Sequence, residues 1–323
     1  MAYHPNLDPE LRAAIEAVPM PVTDLASMTL EQLQRMRAQA NAIMAAAPRI
    51  ETDVTVEDRH VPGPDGAPEV GVRIYRPAGD GRDRPGLYWI HGGGMVMGTP
   101  RIDDAMMIDY VERLGLVVVS VDYRLAPEHP HPAPVEDCYA GLAWTAKAAG
   151  ELGIDPARLA VGGASAGGGL AAATVLLARD RGGPEVAFQL LICPMLDDRD
   201  ATPSTVQHAD AVVWNRDANR YGWRALLGDR VGGADVSPYA APARAGDLSG
   251  LPPAFVDVGE LEVFRDEDMD YALRLARAGV STEFHLYPGA FHGFDMMVPD
   301  AALSRRAREA RVAALRRAYG LQG

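Results

Sequence analysis

A serine stands between glycines at Gly163-Ala164-Ser165-Ala166-Gly167, and a histidine leads three glycines at His91-Gly92-Gly93-Gly94. The first string has the form of a nucleophile elbow, a sharp strand-to-helix turn that lifts a serine hydroxyl clear of the backbone. Glycines must flank it, because a side chain there would collide with the adjoining strand or helix. The second string lets backbone N–H groups approach a tetrahedral intermediate closely. Either is weak alone in a chain with 33 glycines. Together, in this order, they imply acyl-ester hydrolysis, with Ser165 as nucleophile and the N–H groups of Gly92, Gly93 and Ala166 as oxyanion donors. Two other uses of a glycine-rich turn fail. A phosphate cradle would end in Lys-Ser/Thr, and Gly162–Gly169 gives no clean G-x-G-x-x-G.

A serine nucleophile needs a base, and the order Ser…acid…His places it downstream. His4, His60, His129, His131 and His208 fall outside that order or in loops without a preceding strand. His285 lies inside an alternating strand, which suits a structural or solvated side chain. His292 follows that strand in Pro288-Gly289-Ala290-Phe291-His292-Gly293-Phe294. From such a loop an imidazole can reach a serine on another strand. The acid belongs after the apolar run 254–258, and both Glu260 and Glu262 stand in that loop. Order alone does not choose between them. Asp266, Glu267 and Asp268 read as first-turn helix acids in solvent. His91 orders its own loop rather than moving protons.

These residues need a scaffold, and the hydrophobic pattern describes one. Val54–Val56 and 70–75 alternate about a Pro/Gly turn, as an antiparallel pair does. Apolar runs follow at 87–90, 116–121, 159–162, 188–193, 254–258 and 282–287, separated by helical segments at 103–114, from Pro134, at 166–181, 266–278 and 301–319. Continuous apolar strands alternating with helices describe a buried, mostly parallel sheet with helices on both faces. The expected fold is α/β, with eight strands. Ahead of it, residues 1–48 are helical: Leu11, Ile15 and Val18 mark one helix. A second opens with a Thr29…Gln32 capping box and ends near Ala47-Pro48. Residues 197–250 break the rhythm with polar sequence and helical fragments around 206–213 and 217–227. The expected division is a helical cap segment, 1–48, and a catalytic domain, 49–323, whose residues 197–228 add to the cap.

Composition closes off other functions. A net charge of −13 argues against nucleic acid and anionic membranes, which attract basic patches. Neither Cys138 nor Cys193 belongs to a ligand-spaced cluster, so no metal site is implied, and buried reduced thiols are expected. No organic cofactor is called for. Met1–Pro5 lacks the basic and apolar regions of a leader, and no apolar run approaches about 18 residues. A cytoplasmic protein without membrane insertion is expected. Met95 and Val96 beside the glycine loop, and Trp214 in the cap region, are expected to line an apolar substrate pocket.

The chain resembles the hormone-sensitive-lipase-like (bacterial family IV) esterases of the α/β-hydrolase superfamily. The resemblance covers nearly all of it. It rests on His91–Gly94, Gly163–Gly167, His292-Gly293-Phe294 and Asp122-Tyr123-Arg124-Leu125-Ala126-Pro127-Glu128-His129. It implies a carboxylesterase acting through a Ser-His-acid triad, a helical cap and frequent homodimers through the last strand's edge. In the family the acid stands in D-P-L-x-D-E. Set against that string, Glu262-Val263-Phe264-Arg265-Asp266-Glu267 aligns through Asp266-Glu267 and puts Glu262 at the acid position, a departure one methylene longer than the usual Asp. Ala164 departs too, where many members carry Asp or Thr. Short- to medium-chain esters are the expected substrates. Amides, carbamates or lactones would suit the same triad. A non-catalytic receptor on this fold is disfavoured by the presence of His292.

Overall fold

The computed structural model describes residues 4–18, 25–48, 50–79 and 81–322. The expected cap segment 1–48 therefore lies partly outside the described residues, at 1–3 and 19–24. Eight strands form one sheet: β1 (Thr55–Val61), β2 (Val70–Arg76), β3 (Arg84–Ile90), β4 (Val117–Asp122), β5 (Ile154–Ala164), β6 (Phe188–Ile192), β7 (Ala254–Gly259) and β8 (Thr282–Tyr287). Their spatial order is β1-β2-β4-β3-β5-β6-β7-β8. The β1–β2 and β2–β4 pairs are antiparallel and every other pair is parallel.

The helices are α1 (Pro9–Ala17), α2 (Leu30–Ala46), α3 (Asp104–Leu114), α4 (Ala133–Lys147), α5 (Ala149–Leu152), α6 (Ala166–Arg181), α7 (Pro203–Gln207), α8 (Arg216–Leu227), α9 (Arg265–Arg277), α10 (Phe294–Met297) and α11 (Ala302–Ala318). Strand side chains alternate between two cores, as pleating requires. Tyr88 and Ile90 of β3 pack with α4, α6 and α9, whereas Leu87 and Trp89 pack with α3 and α11. α2 opens with the reciprocal cap expected of Thr29 and Gln32. α1 buries Leu11 and Ile15, but Val18 is its exposed cap residue.

The helical fragment expected around 206–213 is a correction. α7 ends at Gln207, and the backbone then turns through His208 to Val213, which adopts φ +71°. A β-branched residue at such a φ cannot continue a right-handed helix. Pro134 is in the first turn of α4 but not its first residue, since the helix begins at Ala133.

A buried ion cluster ties the C-terminal helices to the sheet. Arg311 of α11 is 2% exposed, and its Nε donates to Asp257 of β7 at 2.6 Å. The same guanidinium bonds Asp295 of α10. Losing one member of a buried ion group leaves the others desolvated and unpaired, which costs about 3–5 kcal/mol. Arg311→Met should therefore lower the thermal midpoint by roughly 10 °C, as a calorimetric scan would show. An unchanged midpoint would show that the cluster adds no net stability.

Candidate active site

The end of β5 and the start of α6 meet at Ser165, whose backbone has φ 57° and ψ −121°. Few non-glycine residues tolerate that conformation, and it costs on the order of 1–3 kcal/mol. The surroundings enforce it. Ser165 N donates to Ile192 O at 2.8 Å, while Ser165 O accepts from Met195 N at 2.9 Å and Gly169 N at 3.0 Å. A side chain at Gly163 would strike Gly167 O, and one at Gly167 would strike Ile90 O and His91 O. The tight turn thus depends on both flanking glycines.

Ser165 Oγ lies 2.9 Å from His292 Nε2, and His292 Nδ1 lies 2.5 Å from Glu262 Oε2. A carboxylate can only accept, so Nδ1 carries the proton and Nε2 offers its lone pair to the serine hydroxyl. The other oxygen of Glu262, Oε1, accepts from Gly259 N at 2.8 Å. Glu262 is 1% exposed and His292 6%. The pair is shielded from water, while the imidazole keeps a small accessible surface. Phe264 meets the His292 ring edge-on at 5.3 Å between centroids. The structure thus brings together Ser165, His292 and Glu262 from the ends of β5, β8 and β7.

Glu260 turns elsewhere. Its Oε2 accepts from Gly289 N at 2.7 Å and its backbone N donates to Tyr287 O at 3.0 Å. It braces the loop that carries His292. His285 pairs with Glu283 on β8 at 2.7 Å, away from the serine.

The glycine loop leaves β3 alongside the elbow. A Cβ on Gly92 would stand 3.0 Å from Ala164 O and 3.4 Å from Ser165 Cβ, so this backbone runs against the serine. Among the described residues no side chain or loop carbonyl takes the N–H of Gly92 or Gly93. Ala166 is the first residue of α6, where helix geometry leaves the N–H free. Gly93 O accepts from Val96 N and Met97 N, closing the loop into a turn.

His91 is wholly buried. It stacks on Tyr123 at 4.3 Å, and its Nδ1 donates to Gly92 O at 2.8 Å. Burial pushes its pKa down to about 4, so the ring is neutral and fixes the loop. Tyr123 OH donates to His91 O at 3.0 Å. The remainder of the Asp122–His129 string extends this scaffold. Arg124 forks onto Asp137 through Nε and Nη2, both at 2.7 Å, and Ala126 N donates to Met95 O at 2.9 Å. Arg37 of α2 joins Val96 O, Ala126 O and Glu128 in one clasp.

The expected pocket residues are all buried in the main core, with Trp214 at 7% exposure the least enclosed of the three. Trp214 covers the glycine loop: a Cβ on Gly94 would strike its indole. Met95 and Val96 have no exposed surface and belong to the main core, so the expectation that they line a pocket is corrected. Met95 adopts φ +61°, and its side chain is packed in the core beneath the loop.

The acids of α9 also require correction. Glu267 and Asp268 were expected in solvent but are 3% and 0% exposed. Glu267 accepts from Leu196 N at 2.8 Å and Asp197 N at 3.2 Å, so it holds the loop after β6. Neither Asp268 oxygen has a partner among the described residues, and burial pushes its carboxyl well above the usual range. Sequence reasoning missed this positioning role of Glu267, because three successive acids opening a helix look like ordinary surface charge. Cys138 and Cys193 are buried and unpaired, as expected.

A family model described as the alpha/beta hydrolase fold matches residues 87–296. The chain is 38% identical to carboxylesterase NlhH of Mycobacterium tuberculosis over 307 residues, 92% of each chain. Among solved structures, a bacterial heroin esterase superposes with a TM-score of 0.91 at 45% identity, covering 99% of both chains. Esterase LipW from Mycobacterium marinum does so with a TM-score of 0.83 at 38% identity, covering 97% of this chain and 96% of its own. With eight strands in this order and that extent of identity, the chain belongs to the hormone-sensitive-lipase-like family of α/β-hydrolases and is a carboxylesterase.

Proposed function

We propose that the enzyme cleaves short- to medium-chain acyl esters through an acyl-enzyme on Ser165. The observation that carries this reading is the hydrogen-bonded chain Ser165–His292–Glu262. Ser165 Oγ attacks the ester carbonyl carbon as its proton passes to His292 Nε2. Glu262 holds the imidazole tautomer and stabilises the imidazolium that forms. The N–H groups of Gly92, Gly93 and Ala166 receive the oxyanion, donors whose loss costs about 3 kcal/mol each in related sites. His292 then protonates the departing alkoxide. Water, deprotonated by His292, attacks the acyl carbon, and the acid leaves as Ser165 regains its proton. This scheme employs no metal or organic cofactor.

The N-terminal helices and residues 197–228 form the cap in this reading. Three contacts support it. Arg37 clasps the glycine loop, and Trp214 lies on Gly94. α1 also packs Leu11 and Ile15 with Phe291 and Phe294 of the histidine loop. Cytoplasmic residence and a homodimer through the free edge of β8 belong to the same proposal. No helix among the described residues is long and apolar enough to cross a membrane.

Initial rates on p-nitrophenyl esters of rising acyl length test the substrate class, with a phosphonate ester as trap. The expected profile peaks at short to medium chains. Intact mass should show one phosphonyl group per chain, located on the peptide containing Ser165. A profile still rising at long acyl chains, or an adduct on another residue, would reject the proposal.

A further inference from the structure

Beside Glu262 and His292 stands a side chain that acyl transfer leaves unused. Cys193 follows β6 with φ +36°, and its backbone N donates to Asp257 O at 2.7 Å. Its sulfur, a carboxylate oxygen of Glu262 and a ring nitrogen of His292 all lie within 4.8 Å of one another. Cys193 is 7% exposed and forms no disulfide. Around one zinc ion, sulfur stands at about 2.3 Å and nitrogen or oxygen at about 2.0–2.2 Å. Such ligands are therefore roughly 3–4 Å apart, and small side-chain movements bring this cluster into that range.

The donor set of thiolate, imidazole and carboxylate selects borderline-soft cations over Mg²⁺ or Ca²⁺, which prefer oxygen. One thiolate and one carboxylate also balance a dication, so the buried site would carry no net charge. His292 Nδ1 already touches Glu262, which makes it the nitrogen a cation between those two groups would take.

We propose that Cys193, Glu262 and His292 Nδ1 form an inhibitory site for a thiophilic divalent cation such as Zn²⁺ or Cd²⁺. As the metal–sulfur bond forms, the thiol proton leaves to solvent. The cation occupies the Nδ1 lone pair, and the proton formerly on Nδ1 is replaced by one on Nε2. Nε2 then faces Ser165 Oγ as a donor and cannot accept the serine proton. Acyl transfer stops while the fold stays intact. The inhibition rests on His292 acting as the base, as proposed above; the binding does not.

Cd²⁺ titration tests both halves on the same protein, read by the ultraviolet Cd–thiolate charge-transfer band and by ester hydrolysis. The wild type should develop the band to one Cd²⁺ per chain. Its rate should fall in step with occupancy and return when a chelator is added, whereas Mg²⁺ at the same concentration leaves the rate unchanged. Cys193→Ser should lose the band. Relative to its own metal-free rate, it should need at least about tenfold more metal for half-inhibition, since even second-shell losses weaken metal sites by about 10–100-fold. Cys138→Ser leaves Cys193 as the chain's remaining thiol and should behave as wild type, so the site is also tested without altering it. The proposal is overturned by half-inhibition of Cys193→Ser at the wild-type concentration, by a missing band in Cys138→Ser, or by a saturated band with an undiminished rate. Failure of the triad reading would show separately, as metal-free activity surviving in His292→Ala.

Discussion

Ser165→Ala is expected to lower kcat on a short-chain p-nitrophenyl ester by about a millionfold, with KM changed less than about threefold. The size follows from what the substitution removes. The proposed acyl-enzyme forms on Oγ, so the alanine variant cannot make it, and His292 is left facing a methyl group. In the proposed mechanism the oxyanion cradle of Gly92, Gly93 and Ala166 survives and can still favour attack by water by about 10³–10⁴ over solution. The fold should be undisturbed, because the backbone bonds that hold residue 165 are made by its N and O, not by its hydroxyl. Alanine at φ 57° is no better suited than serine, so any change in thermal midpoint should be small. Stopped-flow and long-time rates on matched preparations check this. A residual rate within tenfold of wild type would move the nucleophile elsewhere.

The elbow was legible because its glycines answer a steric demand. Gly163 and Gly167 approach backbone carbonyls so closely that no side chain fits, and the chain writes that demand into its sequence. The place of His292 beside Ser165 was legible for a different reason: chain order fixes the strand it must follow. The strands of the parallel sheet were visible as apolar runs because both faces of the sheet are covered by helices.

Side-chain direction in loops was not legible. Met95 and Val96 follow the glycines directly, yet a positive φ at Met95 commits both to the core. Glu267 and Asp268 illustrate the same gap. Glu267 is buried where the loop after β6 crosses over the start of α9, a contact between segments about 70 residues apart. Nothing local distinguishes such acids from solvated ones. The choice between Glu260 and Glu262 was likewise beyond spacing. They are two residues apart in one loop, and only the turn of the backbone sends one toward Gly289 and the other toward His292.

Glu262 is where the second large effect is expected. Glu262→Gln keeps shape but lets the amide donate, so Nδ1–H of His292 no longer has an assured acceptor. The ring can then settle in the tautomer that presents Nε2–H to Ser165, the wrong state for a base. By analogy with amide substitution of the buried acid in other serine hydrolases, kcat should fall about 10⁴-fold. Glu262→Asp separates charge from reach. The carboxylate must span Gly259 N and His292 Nδ1 at once, at 2.8 and 2.5 Å from its two oxygens. An aspartate is one methylene short and can satisfy only one of them without backbone movement. A misplacement of about 1 Å in a catalytic group costs on the order of a hundredfold, so Glu262→Asp should be much less damaged than Glu262→Gln yet well below wild type. Glu260→Gln, by contrast, keeps an oxygen for Gly289 N and should retain most of the rate. Measured on one ester at one pH, the expected order of kcat is wild type, Glu260→Gln, Glu262→Asp, Glu262→Gln. Exchange of the two glutamates in that order would transfer the acid's role to Glu260 and turn Glu262 into a loop brace.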